Sequence, residues 1–418
     1  MRVVLVSVGS DGDILPFVGL GARLRARGHQ VTLATNEGFH RVASEHEFEF
    51  CSLFSKAETD ELFANPKLWH PLQSAWVSSA WGCRFLRRQY DLLGSLAQEK
   101  ETVFIANPAV FAARLLQEKL SKRLASMVIG PWFIPSACEP PIVRGLLNLS
   151  GRTPLPIRKL YWNLLHAVGD HLVARHLDPV RSNLGLAPIR RIFQWWFSPD
   201  LVIGLFPDWY APWQPDWPSK TRLAGFSMFN GGDGLSAEVL EFCRHGTPVI
   251  AITFGTEMWH AAEVFRATLE ACQKLGVRAL LLTRHPHQLP SPLPSFGRHC
   301  DFAPFQHLFP HCAAVVHHGG MGTTARALAA GVPQLILPFA FDQLDNAARV
   351  KRLGVGNWLN GKQRTGTPIA AALGQLMTPE TRTQCGAVAA RFGKTDSLEI
   401  AAAWVEEFAH GASTSAVT

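Results

Sequence analysis

Charge is scarce in this sequence. Only 17% of its 418 residues are Asp, Glu, Lys or Arg, against 47% hydrophobic, which excludes a disordered chain or a charged nucleic-acid tail. No apolar run approaches the roughly 18 residues of a membrane span, and Val3–Val8 is too short for a secretory signal. The 8 cysteines, scattered from Cys51 to Cys385, form no C-x-x-C pair. They indicate neither a disulfide framework nor a zinc site, and reduced cytosolic thiols are the expectation. Short-period repeats and nucleic-acid-binding signatures are missing as well. What remains is a soluble, cytoplasmic chain whose length suits two or three domains, each with its own core.

The charge that is present is uneven. The net charge is +7, yet residues 84–200 alone hold 16 basic and 8 acidic side chains, a balance of +8. The same half carries Trp69, Trp76, Trp81, Trp132, Trp162, Trp195 and Trp196, while the whole chain has 3 Tyr. Basic residues interleaved with Trp suit peripheral contact with an anionic membrane face. They equally suit a solvated basic surface over a Trp-rich core or acceptor pocket.

The first 36 residues predict a βαβ unit. MRVVLVSV is a continuous apolar strand of the kind buried on both faces of a parallel sheet. GSDGD breaks it, Pro16 is read as the first turn of a helix, and Gly28 ends that helix before the strand Val31–Thr35. The pattern loosens between 131 and 200 around prolines. Four further prolines between 207 and 218, followed by NGGDG at 230–234, read as linker chemistry. The expected division is an N-terminal domain at 1–215, a linker at 216–235 and a C-terminal domain at 236–418, its last helix packing back on the first domain. The second half restarts the alternation, with strands at Pro248–Phe254, Val277–Thr283, Ala313–His317 and Pro333–Pro338. Two doubly wound α/β domains facing across a cleft are therefore expected.

The strongest motif is AAVVHHGGMGTTARALAAGVPQLILPFAFDQLDNAARVKRLGVG at 313–356. A strand ends at His317, a glycine turn follows, and a helix is predicted from Thr323. Backbone N–H groups at such a helix start make an anion site without a metal. Thr323 and Thr324 would cap the helix and offer hydroxyls to phosphate oxygens, with His317 donating to the same diphosphate.

This segment, with GSDGDILPFVGLGARLRARGHQV at the N-terminus and ITFGT at 252–256, resembles the family 1 glycosyltransferases of two-Rossmann (GT-B) architecture. The likeness is to the bacterial branch with HHGGxGTT and DQxxNAxR, which includes sterol, antibiotic and rhamnolipid-forming enzymes. Carried over, the resemblance implies that His317, Gly319, Gly320, Gly322, Thr323 and Thr324 grip the donor diphosphate, helped by Thr256. Phe302 would stack on the base and the Ala303 backbone would bond its edge. Asp342 and Gln343 would hold sugar hydroxyls, a carboxylate and an amide together accepting from and donating to vicinal groups. Plant members carry a ribose-binding Glu where this chain is read as having Ala325, which keeps both UDP- and dTDP-sugars open.

Asp13 is the implied catalytic base, at the C-terminal edge of the first parallel strand where ligands bind. The bacterial branch often has GSRGD, so Asp11 here replaces an Arg. A helix N-terminus would lower the Asp13 pKa, whereas Asp11 and the diphosphate would raise it. Trp69, Trp76, Trp81 and Phe85 are expected to line a hydrophobic acceptor pocket. No metal or other cofactor is expected: the phosphate site lies away from the Asp11-Gly12-Asp13 sequence, and Pro310 interrupts the His307/His311 spacing. The expected activity is inverting hexose transfer from a nucleotide diphosphate sugar to a hydroxyl of a lipid, sterol or natural-product aglycone. A nucleotide-sugar-binding protein without turnover and a GT-B nucleotide-sugar epimerase are the alternatives.

Overall fold

In the computed structural model, which describes residues 1–70, 73–98, 101–143, 146–149, 152–229, 232 and 234–411, the apolar runs form two all-parallel sheets. The first contains β1 (Arg2–Val6), β2 (Gln30–Asn36), β3 (Glu49–Phe54), β4 (Thr102–Ala106), β5 (Arg123–Val128), β6 (Val202–Gly204) and β7 (Thr221–Leu223), in the order β3-β2-β1-β4-β5-β6-β7. The second contains β8 (Val249–Thr253), β9 (Arg278–Leu282), β10 (Gly297–Cys300), β11 (Ala314–His317), β12 (Gln334–Ile336) and β13 (Gly356–Trp358), in the order β10-β9-β8-β11-β12-β13. Each sheet winds outward from a central strand and then reverses, between β1 and β4 and between β8 and β11. Crevices for ligands open at those reversals, beyond the strands' C-terminal ends. In β1, Val3, Val4, Leu5 and Val6 are all buried because helices cover both faces of the sheet.

Helix Asp11–Ala26 starts earlier than Pro16 suggested. The Ser10 backbone N–H donates to the Asp13 carboxylate at 2.9 Å, closing an N-terminal capping interaction that outweighs the proline. Pro16 then lies inside the helix, and lacking an N–H it leaves the Gly12 carbonyl without its helical donor.

The stretch 216–235 is not linker throughout. β7 lies within it and pairs with β6 as the outermost strand of the first sheet. The segment packs between its prolines, with Tyr210 and Trp217 buried, and the proline-free triplet Thr221–Leu223 suffices for an edge strand. Asn230, Gly231 and Asp233 of the expected glycine turn lie outside the described residues.

Two features join the halves. One apolar cluster combines Val128, Phe206 and Tyr210 of the first half with Met321, Ile336 and Val350 of the second. Helix Ser397–His410 lies on the first domain, placing Leu398, Ala401, Ala402 and Val405 in its core. Arg23–Asp396, Arg27–Glu406 and Arg222–Glu407 ion pairs, each at 2.7 Å, edge that contact. No helix among the described residues is long and apolar enough to cross a membrane.

The closest approach is at Gly19, where an added Cβ would meet Leu398 and Phe229 at 2.6 Å. Gly19→Val should therefore cost about 1–3 kcal/mol through overpacking, read as a lower urea midpoint. An unchanged midpoint would contradict this docking of the C-terminal helix.

Candidate active site

The two switch points face one cavity of about 690 Å³. From the first domain, β1 is followed by Ser7, whose hydroxyl donates to the Asp13 carbonyl at 2.9 Å. Both the backbone N–H and the hydroxyl of Ser10 donate to Asp13 Oδ2 at 2.9 Å, leaving Oδ1 for the cavity. Gly9 makes the turn with φ +130°, and a Cβ there would strike the Asp13 carboxylate, so only glycine lets the acid sit so close. Burial raises the Asp13 pKa, against the lowering effect of its bonds to Ser10. Burial, which the sequence did not reveal, thus outweighs the influences anticipated there, and Asp11 adds a smaller push in the same direction.

Asp11 points elsewhere. Its carboxylate pairs with Arg284, on the loop after β9, at 3.0 Å across the cleft. The two acids of the Asp11-Gly12-Asp13 sequence therefore have different partners. Among the described residues, no three His, Cys, Asp or Glu side chains converge as a metal site would require.

The second domain contributes the glycine turn after β11. Helix Met321–Ala329 opens at Gly320, two residues before the expected start. Thr323 and Thr324 consequently sit in the first turn rather than capping it. Thr323 lines the cavity with Gly320, Gly322 and Thr256. Thr324 does not: its hydroxyl is buried without a hydrogen-bond partner.

His317 is also turned inward. Its Nε2 is 2.9 Å from Gln334 Oε1, and its Nδ1 accepts from the Gly319 N–H at 3.1 Å, so both nitrogens are occupied in holding the turn. Gly319 faces the core as well, its φ of +99° and its contact with Gln343 O leaving no room for a Cβ. The cavity-facing imidazole is His318. Successive residues leaving a strand point to opposite sides, and two adjacent histidines gave the sequence no way to choose between them. Burial lowers the His317 pKa to about 3 and that of His318 to about 4, so both are neutral at pH 7.

Asp342 and Gln343 line the same cavity. Gln343 Oε1 accepts from the N–H groups of Phe339 and Ala340, which turns its amide nitrogen to donor duty. Asp342 accepts from Asn346 Nδ2 at 2.7 Å. Burial, reinforced by the charge on Asp13, pushes its pKa up to about 7. Phe341, immediately before it, holds the left-handed region at φ +55°, backbone strain of the kind stored at functional sites.

Phe302 and Ala303 border the cavity on the second domain's side, Phe302 with its ring about half exposed. The opposite wall is aromatic. Trp69, Trp76 and Trp81 line it; Trp81 stacks on Phe54 with centroids 4.3 Å apart, and Trp69 meets Phe341 edge-on across the cleft. Phe85 lies behind this wall rather than in it, packed on Phe54 and Trp81 beneath the guanidinium groups of Arg84 and Arg88.

Several lining residues escaped the sequence reading. Trp132, Trp162 and Trp196 join the wall, and with Trp81 they present four buried indole N–H groups that lack partners. The Trp-rich composition of 69–200 carried that signal without assigning positions. Arg284 and Arg326 supply positive charge from the second domain. Burial lowers the Arg326 pKa to about 10, which leaves it charged at pH 7.

The raised carboxylate makes stability depend on pH. Folded Asp342 holds its proton up to about pH 7, whereas the unfolded chain releases it near the ordinary value of 3.8. Its contribution therefore falls as pH rises between those values. Asp342→Asn should flatten the decline and make the variant more stable than the parent at pH 8, measured by urea unfolding across pH. A variant less stable than its parent at pH 8 would contradict the buried, raised acid.

Two family models match the chain. Residues 3–138 match the glycosyltransferase family 28 N-terminal domain, and residues 278–395 match the erythromycin biosynthesis protein CIII-like C-terminal domain. Glycosyltransferase GtfE of Amycolatopsis orientalis is 30% identical, covering 93% of each chain. The vancomycin aglycone glucosyltransferase of the same organism is 29% identical, covering 96% of each. Among solved structures, the spinosyn rhamnosyltransferase SpnG complexed with thymidine diphosphate shares the fold, with a TM-score of 0.66 at 19% identity over 97% of this chain and 99% of that one.

Proposed function

The chain belongs to the antibiotic-type glycosyltransferases of family 1, and from that premise we propose that it transfers a hexose from UDP or dTDP to a hydroxyl of an apolar acceptor, with inversion and without a metal. The observation that carries this reading is Asp13 in the cavity, one carboxylate oxygen anchored by Ser10 and the other free, between the tryptophan wall and the glycine turn. An acceptor hydroxyl on the aromatic side would give its proton to Asp13 as its oxygen attacks the anomeric carbon. The diphosphate would leave toward the start of helix Met321–Ala329, where unpaired backbone N–H groups, Thr323, Thr256 and His318 converge. Arg284 and Arg326 would offset its charge.

Asp342 and the Gln343 amide would hold sugar hydroxyls. A carboxyl with a pKa near 7 can donate as well as accept, which suits a partner that must bind hydroxyls while sparing Asp13 a second full negative charge nearby. The acceptor reading follows from the wall. Its surface is predominantly apolar and aromatic, with Trp69, Trp76, Trp81, Trp132, Trp162 and Trp196 along it, which favours an acceptor with an apolar frame. SpnG has been solved with thymidine diphosphate and with its spinosyn aglycone, and the vancomycin enzyme's name specifies an aglycone. Both support a nucleotide diphosphate donor and a natural-product acceptor.

Asp13→Asn tests the base. Transfer to an apolar alcohol should fall by about 10²–10⁴-fold, while nucleotide affinity by calorimetry stays near the parent value. Retained transfer would place the base elsewhere, and preference for a free sugar or peptide acceptor would remove the apolar-acceptor reading.

The nucleotide gives a separate test. Ala325 lines the cavity and offers no carboxylate to ribose hydroxyls, so discrimination between UDP and dTDP should stay below about 100-fold, or roughly 2.7 kcal/mol. A larger preference in competition calorimetry would mean that another residue reads the ribose.

A further inference from the structure

Helix Leu155–Gly169 and the π-helical turn Asp170–Ala174 that continues it expose an unusual face. Ile157, Leu160, Leu164, Val168 and Leu172 follow one another at helical spacing, and all are exposed: Leu160 by 71%, Leu164 by 60% and Ile157 by 53%. Leu146 and Leu147 add to it, the latter 67% exposed. Single exposed leucines need no explanation, but an apolar stripe on a helix is normally the side buried against something.

The charge around the stripe says what that is. Residues 152–169 contain Arg152, Arg158 and Lys159 and no acid. Lys159 is exposed near one end of the stripe, and Arg175, Arg190 and Arg191 are exposed near the other. Of the acids nearby, Asp170 accepts the backbone N–H groups of Arg191 and Ile192 at 2.7 Å each, and Asp216, which shares a crevice with Lys159 and Arg191, accepts from the Ser136 hydroxyl and the Ala137 N–H. A second copy of the chain meeting this face about a two-fold axis would bring the same excess of cations to both sides of the contact. An anionic bilayer meets both requirements, apolar depth and negative surface charge.

We propose that this face docks on anionic lipid and that the acceptor enters the cavity from the bilayer. Val168, Leu172 and Leu146 belong to the exposed stripe and also line the cavity, so apolar surface is continuous from the outer face to the aromatic wall. The entry route rests on the apolar-acceptor reading above; the docking does not.

The test is flotation of the full chain with vesicles. The parent should rise with vesicles of equal phosphatidylglycerol and phosphatidylcholine at low salt, and far less with phosphatidylcholine alone or in high salt. Leu160→Ser with Leu164→Ser removes two stripe leucines that do not line the cavity, and should weaken flotation by about tenfold or more. The variant's donor hydrolysis and circular dichroism should stay at parental levels, showing that it folds. Lys159→Glu with Arg175→Glu should also lose flotation on the anionic vesicles. Absence of flotation, equal flotation on neutral vesicles, or full flotation by the leucine variant would each overturn the proposal. So would a parental dimer in solution that the leucine variant dissolves. Failure to glycosylate apolar alcohols with flotation intact would strike the acceptor reading alone.

Discussion

The site depends on a buried polar network along helix Gln343–Arg352. Asn346 donates to Gly319 O at 2.8 Å and to Asp342 at 2.7 Å, and accepts from the Tyr210 hydroxyl at 3.1 Å. One amide thus ties the glycine turn, Asp342 and a residue of the first half together. One turn on, Arg349 pairs with Asp345 at 2.7 Å and reaches Glu139 and the Tyr210 carbonyl at 3.3 Å. Asp345 accepts in addition from the Ile142 N–H. A buried ion pair is weak evidence for net stability, because desolvation offsets its attraction. Its consequence here is geometric: removing any one member would leave a buried charge or amide unpaired, which favours this relative position of the halves.

That position brings two acids from different domains into one cavity. Burial raises both pKa values; the charge on Asp13 adds to the rise at Asp342, and that on Asp11 adds to the rise at Asp13. The site tolerates them because one is anchored by Ser10 and the other can remain protonated near neutral pH. With Asp342 able to stay protonated and both imidazoles neutral, a diphosphate bound as proposed would be offset by backbone N–H groups and by two arginines. Each of these is fixed before the ligand arrives, and such preorganisation is most effective where water is excluded.

The motifs anticipated which segments meet at the cavity more reliably than which side chains face it. GSDGD, ITFGT, the glycine turn and DQxxNAxR all reach the cavity, because each follows a parallel strand and such strands end on the same side of their sheet. Within the segments, side-chain direction was beyond reach. His317 and His318 are chemically identical neighbours, and only the strand's pleat sends one into the core and the other into the cavity. Thr324 and Phe85 fail for the same reason, each a residue away from a position that does face the ligand space.

Strand composition, the glycine and proline punctuation and the order of the apolar runs determined by themselves that this chain forms two doubly wound sheets with ligand-binding crevices at their switch points. These are local properties, set by period, capping and backbone freedom. Tertiary structure alone decided that Thr221–Leu223 joins the first sheet, that Asp11 pairs with Arg284 and that Trp132, Trp162 and Trp196 share a wall with Trp81. It alone decided that a leucine stripe faces outward beside the cavity. Such facts depend on contacts between residues tens to hundreds of positions apart, and burial, which fixes both the acids' pKa values and the indoles' lack of partners, exists only once those contacts are made.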